Sequence, residues 1–394
     1  MFLFSRSIAN ISDSIYFLVL LWGVQTATHS TMYTGFAYSA ITAASLSVIL
    51  FGPYIDRFSP GKLSSISLFI QAVIIFIISV LFQFDNIIWW LIIFLIFIAS
   101  IFSNIFYPAN TTLFTQIVPM DEYQTGNSII SSLDQSINLL GFVLGGSIII
   151  WIGATNTYIL SATLMIVASL MYFFVIKGNH SRKESKSSNY FDDFKIGFNF
   201  IKTIKYMKIL LTVGSISNAI MAMIVISLPA IGQEYGSPLY YSLIYVLFFI
   251  GFILGALLSN FTQKTGLSIS LAWICNGLCL IFISLNFSMY INFLCMLLFG
   301  VSSGILNIIQ YTFEQTMTPA NLMGRVTSTI GTLNNIATPI GAFIGGILIA
   351  YFSINVMFLI CGVIITILGI ILSINREFKS FNIEKAKIIK LNNS

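Results

Sequence analysis

Apolar runs of about 20 residues recur from one end of the chain to the other, and they constrain its fold more than any other feature. A helix needs about 20 predominantly apolar residues to cross a hydrocarbon core of about 30 Å. Twelve such runs fall at residues 8–28, 33–55, 64–82, 87–107, 127–150, 155–176, 209–231, 238–261, 267–286, 290–313, 325–350 and 354–374. The sequence therefore predicts an all-α membrane protein with twelve transmembrane helices.

The composition excludes the alternatives to this reading. The chain is 57% hydrophobic and 8% charged, with a mean hydropathy of +0.94, whereas soluble domains carry about a quarter charged residues. A membrane β-barrel would show short alternating strands instead of continuous apolar runs. No cleavage site of small residues follows the first run, so we expect it to be a retained helix and not a signal peptide.

The positions of the basic residues predict the orientation. Cytoplasmic loops hold an excess of Lys and Arg, and an N-terminus inside the cell places all 18 of these residues on the cytoplasmic side. They are Arg6, Arg57, Lys62, Lys264, Arg325, eight residues at 177–208 and five at 376–390. We therefore expect both termini in the cytoplasm of a cell that carries the protein in its inner or plasma membrane. The net charge of +5 then reflects topology, not nucleic-acid binding.

One long polar stretch divides the runs into six and six. We predict four parts: an N-terminal six-helix bundle at 1–177, a cytoplasmic linker at 178–208, a C-terminal six-helix bundle at 209–375 and a basic cytoplasmic tail at 376–394. The second part of the linker has apolar residues at helical spacing with lysines nearby, which predicts an amphipathic helix on the inner leaflet. Those apolar residues are Phe191, Phe194, Phe198 and Ile201.

The two halves resemble each other at an offset of 200 residues. The matched pairs are Pro119 and Pro319, Ser128 and Ser328, Leu133 and Leu333, Gly141 and Gly341, Gly145 and Gly345, and Gly146 and Gly346. Parallel repeats of six helices occur in one transporter architecture, whose solute site lies near the bilayer midplane between the halves. The repeat therefore favours a transporter over a receptor or a scaffold.

A short loop after the second run carries a family motif. The segment runs from Gly52 through Asp56 and Arg57 to Gly61 and Lys62, and it resembles the loop signature of the major facilitator superfamily. Gly52 allows close helix approach, and the two charged residues can form ion pairs that close the inward gate. The alternative is a solvated turn that carries a topological charge.

Two glycine faces extend the resemblance. Gly141, Gly145 and Gly146 in the fifth run, and Gly341, Gly345 and Gly346 in the eleventh, favour close helix crossings. They are similar to the glycine motif of exporters in this superfamily, although Phe142 stands at the usual proline position.

The segments at 106–109 and 118–128, with Gly324-Arg325 after Pro319, resemble the macrolide-efflux and siderophore-export branch. This resemblance implies the major facilitator fold, use of a proton gradient and an acid embedded in the membrane.

Three acidic residues lie in or beside the predicted membrane helices, where a carboxylate is costly unless it is protonated, paired or hydrated. Asp13 lies about 14 Å into the first helix, so we expect it to accept a proton; the alternative is a permanent ion pair or hydrogen bond, for instance with Asn10. Asp134 is the second candidate for proton coupling. Glu314 is the third, although a gate salt bridge with Arg325 is the stronger expectation for it.

Other energy sources and chemistries have no support in the sequence. Gly61-Lys62 lacks the upstream glycine and the following Ser or Thr of a phosphate-binding loop, so ATP is not expected. The two histidines, His29 and His180, both lie in predicted loops and suggest neither an enzyme nor a metal site. Cys275 and Cys279 share a helix face, and we interpret them as packing residues. We expect no cofactor.

These observations predict a monomeric, proton-coupled exporter, an antiporter of the multidrug or antibiotic-resistance type. Its substrate would be an amphipathic organic compound such as a drug, a macrolide-like antibiotic or a siderophore. Amides scattered through the runs would line its cavity or join helices, namely Gln25, Asn104, Asn138, Asn218, Gln310, Asn334 and Asn335. A proton-coupled nutrient importer and a non-transporting membrane sensor or scaffold are the alternatives.

Overall fold

The computed structural model describes residues 2–47, 58–84, 88–119, 122–175, 190–319 and 322–382, and these residues are almost entirely helical. The helices of the first half are α1 Phe2–Thr28, α2 Thr31–Ala43, α3 Pro60–Leu81, α4 Trp89–Ile117 and α5 Tyr123–Val175. Those that follow are α6 Tyr190–Thr203, α7 Lys205–Glu234, α8 Pro238–Leu258, α9 Gly266–Ser284, α10 Met289–Met317, α11 Met323–Tyr351, α12 Ile354–Ile374 and α13 Arg376–Ser380. The predicted all-α class is confirmed.

Ten helical spans among the described residues are long and apolar enough to cross a membrane. One of them, Leu133–Phe174, has 42 residues and contains most of two predicted segments. As one straight helix at 1.5 Å per residue it would be about 63 Å long, roughly twice the thickness of the hydrocarbon core. It consists instead of two helices that meet at Gly153, whose φ of 80° and ψ of 163° are not helical. The predicted segment at 33–55 lies partly outside the described residues, so the count of twelve stays a prediction.

The described chain forms two compact units. The first comprises Met1–Ser187 with Ile226–Leu243, and the second comprises Ser188–Val225 with Ile244–Ser394. The end of α7 and the start of α8 therefore pack with the first unit, whereas α6 packs with the second.

Serine residues join the helices of the first unit. Ser12 on α1 and Ser161 on α5 each donate a hydroxyl hydrogen to the other's backbone carbonyl, at 2.7 and 2.9 Å. Ser65 on α3 and Ser169 on α5 do the same, at 2.9 and 2.7 Å. Small residues let helix backbones approach closely in a bilayer, and a hydroxyl that bonds a carbonyl leaves no buried donor unpaired.

Glycines have the corresponding role in the second unit. On α8, a Cβ at Gly251 or Gly255 would collide with the α10 backbone at Leu297 or Val301, and a Cβ at Gly300 or Gly304 on α10 would collide with α8 in return. Each helix thus presents two glycines spaced by four residues, the arrangement that brings two helix backbones into contact in lipid.

The outward faces of both units are apolar. Large side chains such as Phe76, Phe94 and Trp151 in the first unit, and Leu257 and Ile367 in the second, are exposed on the protein surface. Lipid tails solvate such side chains without cost, so this surface is typical of a chain that lies in a bilayer.

Helix α6 in the second unit packs against the start of α11. A Cβ at Gly197 would lie 2.6 Å from the Arg325 carbonyl oxygen, so the two backbones are in contact. The Arg325 Nε donates to Asp193 Oδ1 at 2.6 Å. The position of this helix relative to a membrane leaflet stays a prediction.

Candidate functional site

The second unit contains a cavity of about 360 Å³ lined by residues of α7, α8, α9, α10, α11 and α12. Its apolar wall contains the aromatic rings of Phe248, Phe252, Trp273, Phe299 and Tyr311. Its polar wall contains the amides Asn218, Asn276, Asn307, Gln310 and Asn334. Large apolar surfaces with a few polar groups are typical of small-molecule sites.

Among the described residues that line this cavity, Glu314 is the one carboxyl, and none is Lys, Arg or His. The expected salt bridge to Arg325 is not the contact that the structure shows, because Arg325 pairs with Asp193 on α6. Within the part of the chain that the structure describes, the Glu314 carboxyl has no ion pair. Glu314 therefore belongs to the cavity wall.

Some polar groups around the cavity bond to each other, and others do not. Asn276 accepts from the Ser302 hydroxyl at 2.5 Å and donates to Ser303 Oγ at 3.2 Å. By contrast, Trp273 Nε1 and Gln310 Nε2 are buried donors without a partner among the described residues. A buried donor without a partner costs free energy of about 1–3 kcal/mol.

Asp13 in the first unit lies beside a much smaller space. This space of about 10 Å³ is lined by the polar residues Asn10, Asp13, Gln71, Ser103 and Tyr107 and by four apolar residues. It has room for about one water molecule at most. Ser103 on α4 is a side-chain hydrogen-bond partner of the Asp13 carboxyl, and no Lys or Arg among the described residues forms an ion pair with it.

Asp134 on α5 is held by a bidentate ion pair. Arg6 on α1 donates from Nη2 to Asp134 Oδ2 at 2.6 Å and from Nε to Oδ1 at 3.2 Å. Asn10 donates to the same Oδ1 at 2.6 Å. Arg6 also donates to Asn110 Oδ1 at 2.5 Å, and Asn110 donates to the Tyr172 hydroxyl. Such a fork is the strongest common ion-pair geometry.

The predicted cavity amides divide between two roles. Asn218, Gln310 and Asn334 line the cavity of the second unit. The others act within helices or between them. Gln25 accepts from Thr34 at 2.9 Å and donates to Gln233 at 3.3 Å, Asn138 accepts from Ser14 at 3.0 Å, and Asn104 donates to the Ser100 carbonyl at 2.7 Å. Asn335 is exposed.

The two glycine faces lie at helix contacts. In the first unit, a Cβ at Gly141 would collide with Ser14 of α1, one at Gly145 would touch Leu18 at 3.4 Å, and one at Gly146 would collide with Ser242. In the second unit, a Cβ at Gly341 would lie 2.5 Å from Ala219 Cα of α7. Gly345 and Gly346 are buried on the same helix, α11.

The gating motif cannot be placed in the same way. Gly52, Asp56 and Arg57 lie outside the described residues. Of the predicted gating residues, only Arg325 is described. It is 41% exposed and bound to Asp193.

Sequence reasoning missed several residues of these sites. Arg6 was interpreted only as a topological charge, and Asp193 as a linker residue. Trp273, Asn276 and Asn307 were not singled out, although Ser103 and Tyr107 in the first unit stand at the repeat positions of Ser303 and Asn307 in the second. Extending the 200-residue offset to the fourth and tenth runs would have found this wall of the cavity. No group of metal-ligating residues occurs among the described residues.

These features define a polytopic helical membrane protein with a ligand-sized cavity. The family model of the Major Facilitator Superfamily matches residues 2–342, and the chain belongs to this family of multi-pass membrane transporters. The predicted family is thereby confirmed.

The chain is 24% identical over 305 residues to macrolide efflux protein A of Streptococcus pyogenes, which covers 75% of each chain. It is 26% identical over 194 residues to the MFS-type transporter YfmI of Bacillus subtilis strain 168. That match covers 48% of this chain and spans about half, 47%, of YfmI. The fold is similar to the crystal structure of the nucleoside transporter NupG, with a TM-score of 0.73, 15% identity and coverage of 94% of this chain and 98% of NupG.

Proposed function

We propose that the protein is a proton-coupled exporter of an amphipathic organic compound, such as a drug, a macrolide-like antibiotic or a siderophore. The cavity of the second unit is the observation that carries this proposal, because it joins five aromatic rings to five amides around a single carboxyl. Such a wall suits an apolar body with hydrogen-bonding groups. Transport proceeds by alternating access of this site to the two sides of the inner or plasma membrane, with both termini in the cytoplasm.

Asp13 is the residue that we assign to proton coupling. An ionised carboxyl inside a membrane helix needs a counter-charge or water. Arg6 supplies the counter-charge to Asp134 within the protein. Asp13 has a neutral hydrogen-bond partner, Ser103, and a space the size of one water molecule. Protonation would remove its charge and so favour one access state over the other.

The direction of transport rests on the likeness to macrolide efflux protein A, at 24% identity. The likeness to NupG supports the fold alone, because it has 15% identity. An importer that carries protons and substrate in the same direction would use the same cavity. The sidedness of coupled transport therefore distinguishes the two functions.

Everted membrane vesicles that carry the protein test this proposal. Respiration acidifies their lumen, and an exporter that exchanges protons for substrate should then accumulate a probe inside. The probes are radiolabelled erythromycin, tetraphenylphosphonium and chloramphenicol, and membranes without the protein are the control. Nigericin, which collapses the pH gradient, should abolish the accumulation. Loss of a preloaded probe on acidification would show an importer, and no response to any probe would contradict coupled transport.

A further inference from the structure

The charges around the cavity of the second unit are unbalanced. Glu314 contributes one carboxyl to the lining, while none of the described residues that line it is Lys, Arg or His. Arg325, the base expected to pair with Glu314, is bound to Asp193. A carboxylate in a membrane-spanning helix is costly unless it is protonated, paired or hydrated. The cavity is therefore built to receive a positive charge from outside the chain, either a proton or the charged group of a ligand.

The first unit shows that this chain can supply its own counter-ion where one is needed. Arg6 binds Asp134 through two nitrogen atoms, and its side chain is only 11% exposed. Neither Asp13 nor Glu314 has a base paired with it among the described residues, but Glu314 borders a cavity of ligand size and Asp13 does not. This difference favours a charged ligand, and not only a proton, as the partner of Glu314.

Aromatic rings in the same wall favour the same kind of ligand. Phe248, Phe252, Phe299, Trp273 and Tyr311 line the cavity together with Glu314. A cation over the face of an aromatic ring is attracted by the ring quadrupole, most strongly when both groups are away from water. Tyr311 precedes Glu314 by three residues on α10, so the ring and the carboxyl lie on one face of that helix.

The volume of the cavity limits the ligand further. A cavity of about 360 Å³ is at the small end of the range for organic ligands, about 300–1,000 Å³.

We propose that the cavity of the second unit selects amphipathic compounds that carry a single positive charge. Glu314 is the counter-ion, and the surrounding aromatic rings contact the cationic group. This proposal rests on the proposed transport function and names the class of substrate. Neutral compounds with the same aromatic body should bind more weakly, and anions should be excluded.

Binding of radiolabelled tetraphenylphosphonium to the purified full-length protein tests the selectivity. Triphenylphosphine oxide serves as a neutral compound with similar rings and an acceptor oxygen. Glu314→Gln should weaken the binding of the phosphonium ion about tenfold or more, because the neutral amide removes the Coulomb attraction between two unit charges in the cavity. The same variant should change the binding of the phosphine oxide less than about twofold, which also reports that the cavity is intact.

Two further variants control for the removal of a carboxyl elsewhere and for a Glu314→Gln variant that fails to fold. Glu122→Gln removes an exposed carboxyl near the end of α4 and should leave both affinities unchanged. Gln310→Lys places a base one helical turn before Glu314, as an internal counter-ion, and should abolish phosphonium binding even if Glu314→Gln fails to fold. The proposal is overturned if either cavity variant binds the phosphonium ion as the wild type does, or if the wild type binds only the neutral compound or neither.

The exporter proposal and this one fail in different ways. Intact, charge-selective binding without proton-driven accumulation in vesicles would defeat the exporter proposal and leave the cation site standing. Proton-driven transport with equal affinity for the cation and its neutral counterpart would defeat the cation-site proposal and leave the exporter proposal standing.

Discussion

The two units differ in the contacts made at one equivalent position of the repeat. Asp134 in the first unit and Asn334 in the second are related by the 200-residue offset, and each accepts a hydrogen bond, from Asn10 at 2.6 Å and from Ser215 at 3.1 Å. Only the first has an arginine bound to it among the described residues. Both repeat positions therefore accept a hydrogen bond, and they differ in the ion pair.

The two units also differ in the volume of the space beside their acidic residues. Asp13 borders a space of about 10 Å³, whereas Glu314 borders about 360 Å³. The helices of the first unit close around Asp13, whereas those of the second leave room for a ligand beside Glu314. The comparison suggests that the first unit handles the proton and the second handles the substrate.

The largest expected effect is the loss of proton-driven transport in a variant that still binds the substrate. Asp13→Asn fixes the neutral form, so proton-driven accumulation in everted vesicles should fall to that of membranes without the protein, while phosphonium binding stays within about twofold of wild type. Glu314→Gln should lose binding as well as transport. Asp134→Asn, compared in the same vesicles at equal expression, should retain coupling. Full coupling in the Asp13 variant with none in the Asp134 variant would reverse the assignment.

The ion pair of the first unit provides the next test. Arg6→Gln leaves Asp134 as a partly buried charge without its base, and breaking such a pair costs about 3 kcal/mol. The double variant Arg6→Gln with Asp134→Asn should recover much of this loss. Ser215→Ala, at the neutral contact of the second unit, should cost about 1 kcal/mol.

The exposed pair provides the matched control for this measurement. Asp193→Asn breaks the contact with Arg325, whose side chain is 41% exposed, and should cost about 0–1 kcal/mol. Thermal unfolding midpoints of the purified variants would give the order. Equal losses for Arg6→Gln and Asp193→Asn would mean that the first unit gains nothing special from its pair.

The glycine contacts provide the smallest and most local test. Gly341→Ala places a Cβ against the α7 backbone at Ala219, which has to move, at about 1–3 kcal/mol. Gly331→Ala on the same helix meets no atom within 4 Å and should be neutral or stabilising, because Ala favours helix over Gly by up to about 1 kcal/mol.

Gly141→Ala in the first unit differs in one respect, because its new Cβ meets the side chain of Ser14 and not a backbone. Ser14→Gly should therefore reduce the cost of Gly141→Ala when unfolding midpoints are compared. A similar cost in both backgrounds would show that this contact, too, is made by backbone.

The sequence predicts the elements well because apolar length alone decides them. The helices, the glycine positions at helix contacts and the three membrane acids follow from runs, spacing and the repeat. The partners of the charged residues do not follow. Whether Arg6 meets Asp134 depends on how α1 is rotated about its axis towards α5, and each residue turns the helix by about 100°. The pairing of Arg325 with Asp193 and the place of Trp273 in the cavity also depend on helix rotation, so the sequence did not predict them.

The ion pair between α1 and α5 also has a consequence for biosynthesis. Arg6 and Asp134 are separated by 128 residues, and at about 5–20 residues per second the ribosome needs roughly 6 to 25 s to reach the second after the first. During that interval α1, whose mean hydropathy of 1.4 is the lowest of the ten described spans, carries its arginine without the α5 partner. We therefore expect the first helix to be held less firmly in the bilayer until the fifth has been made.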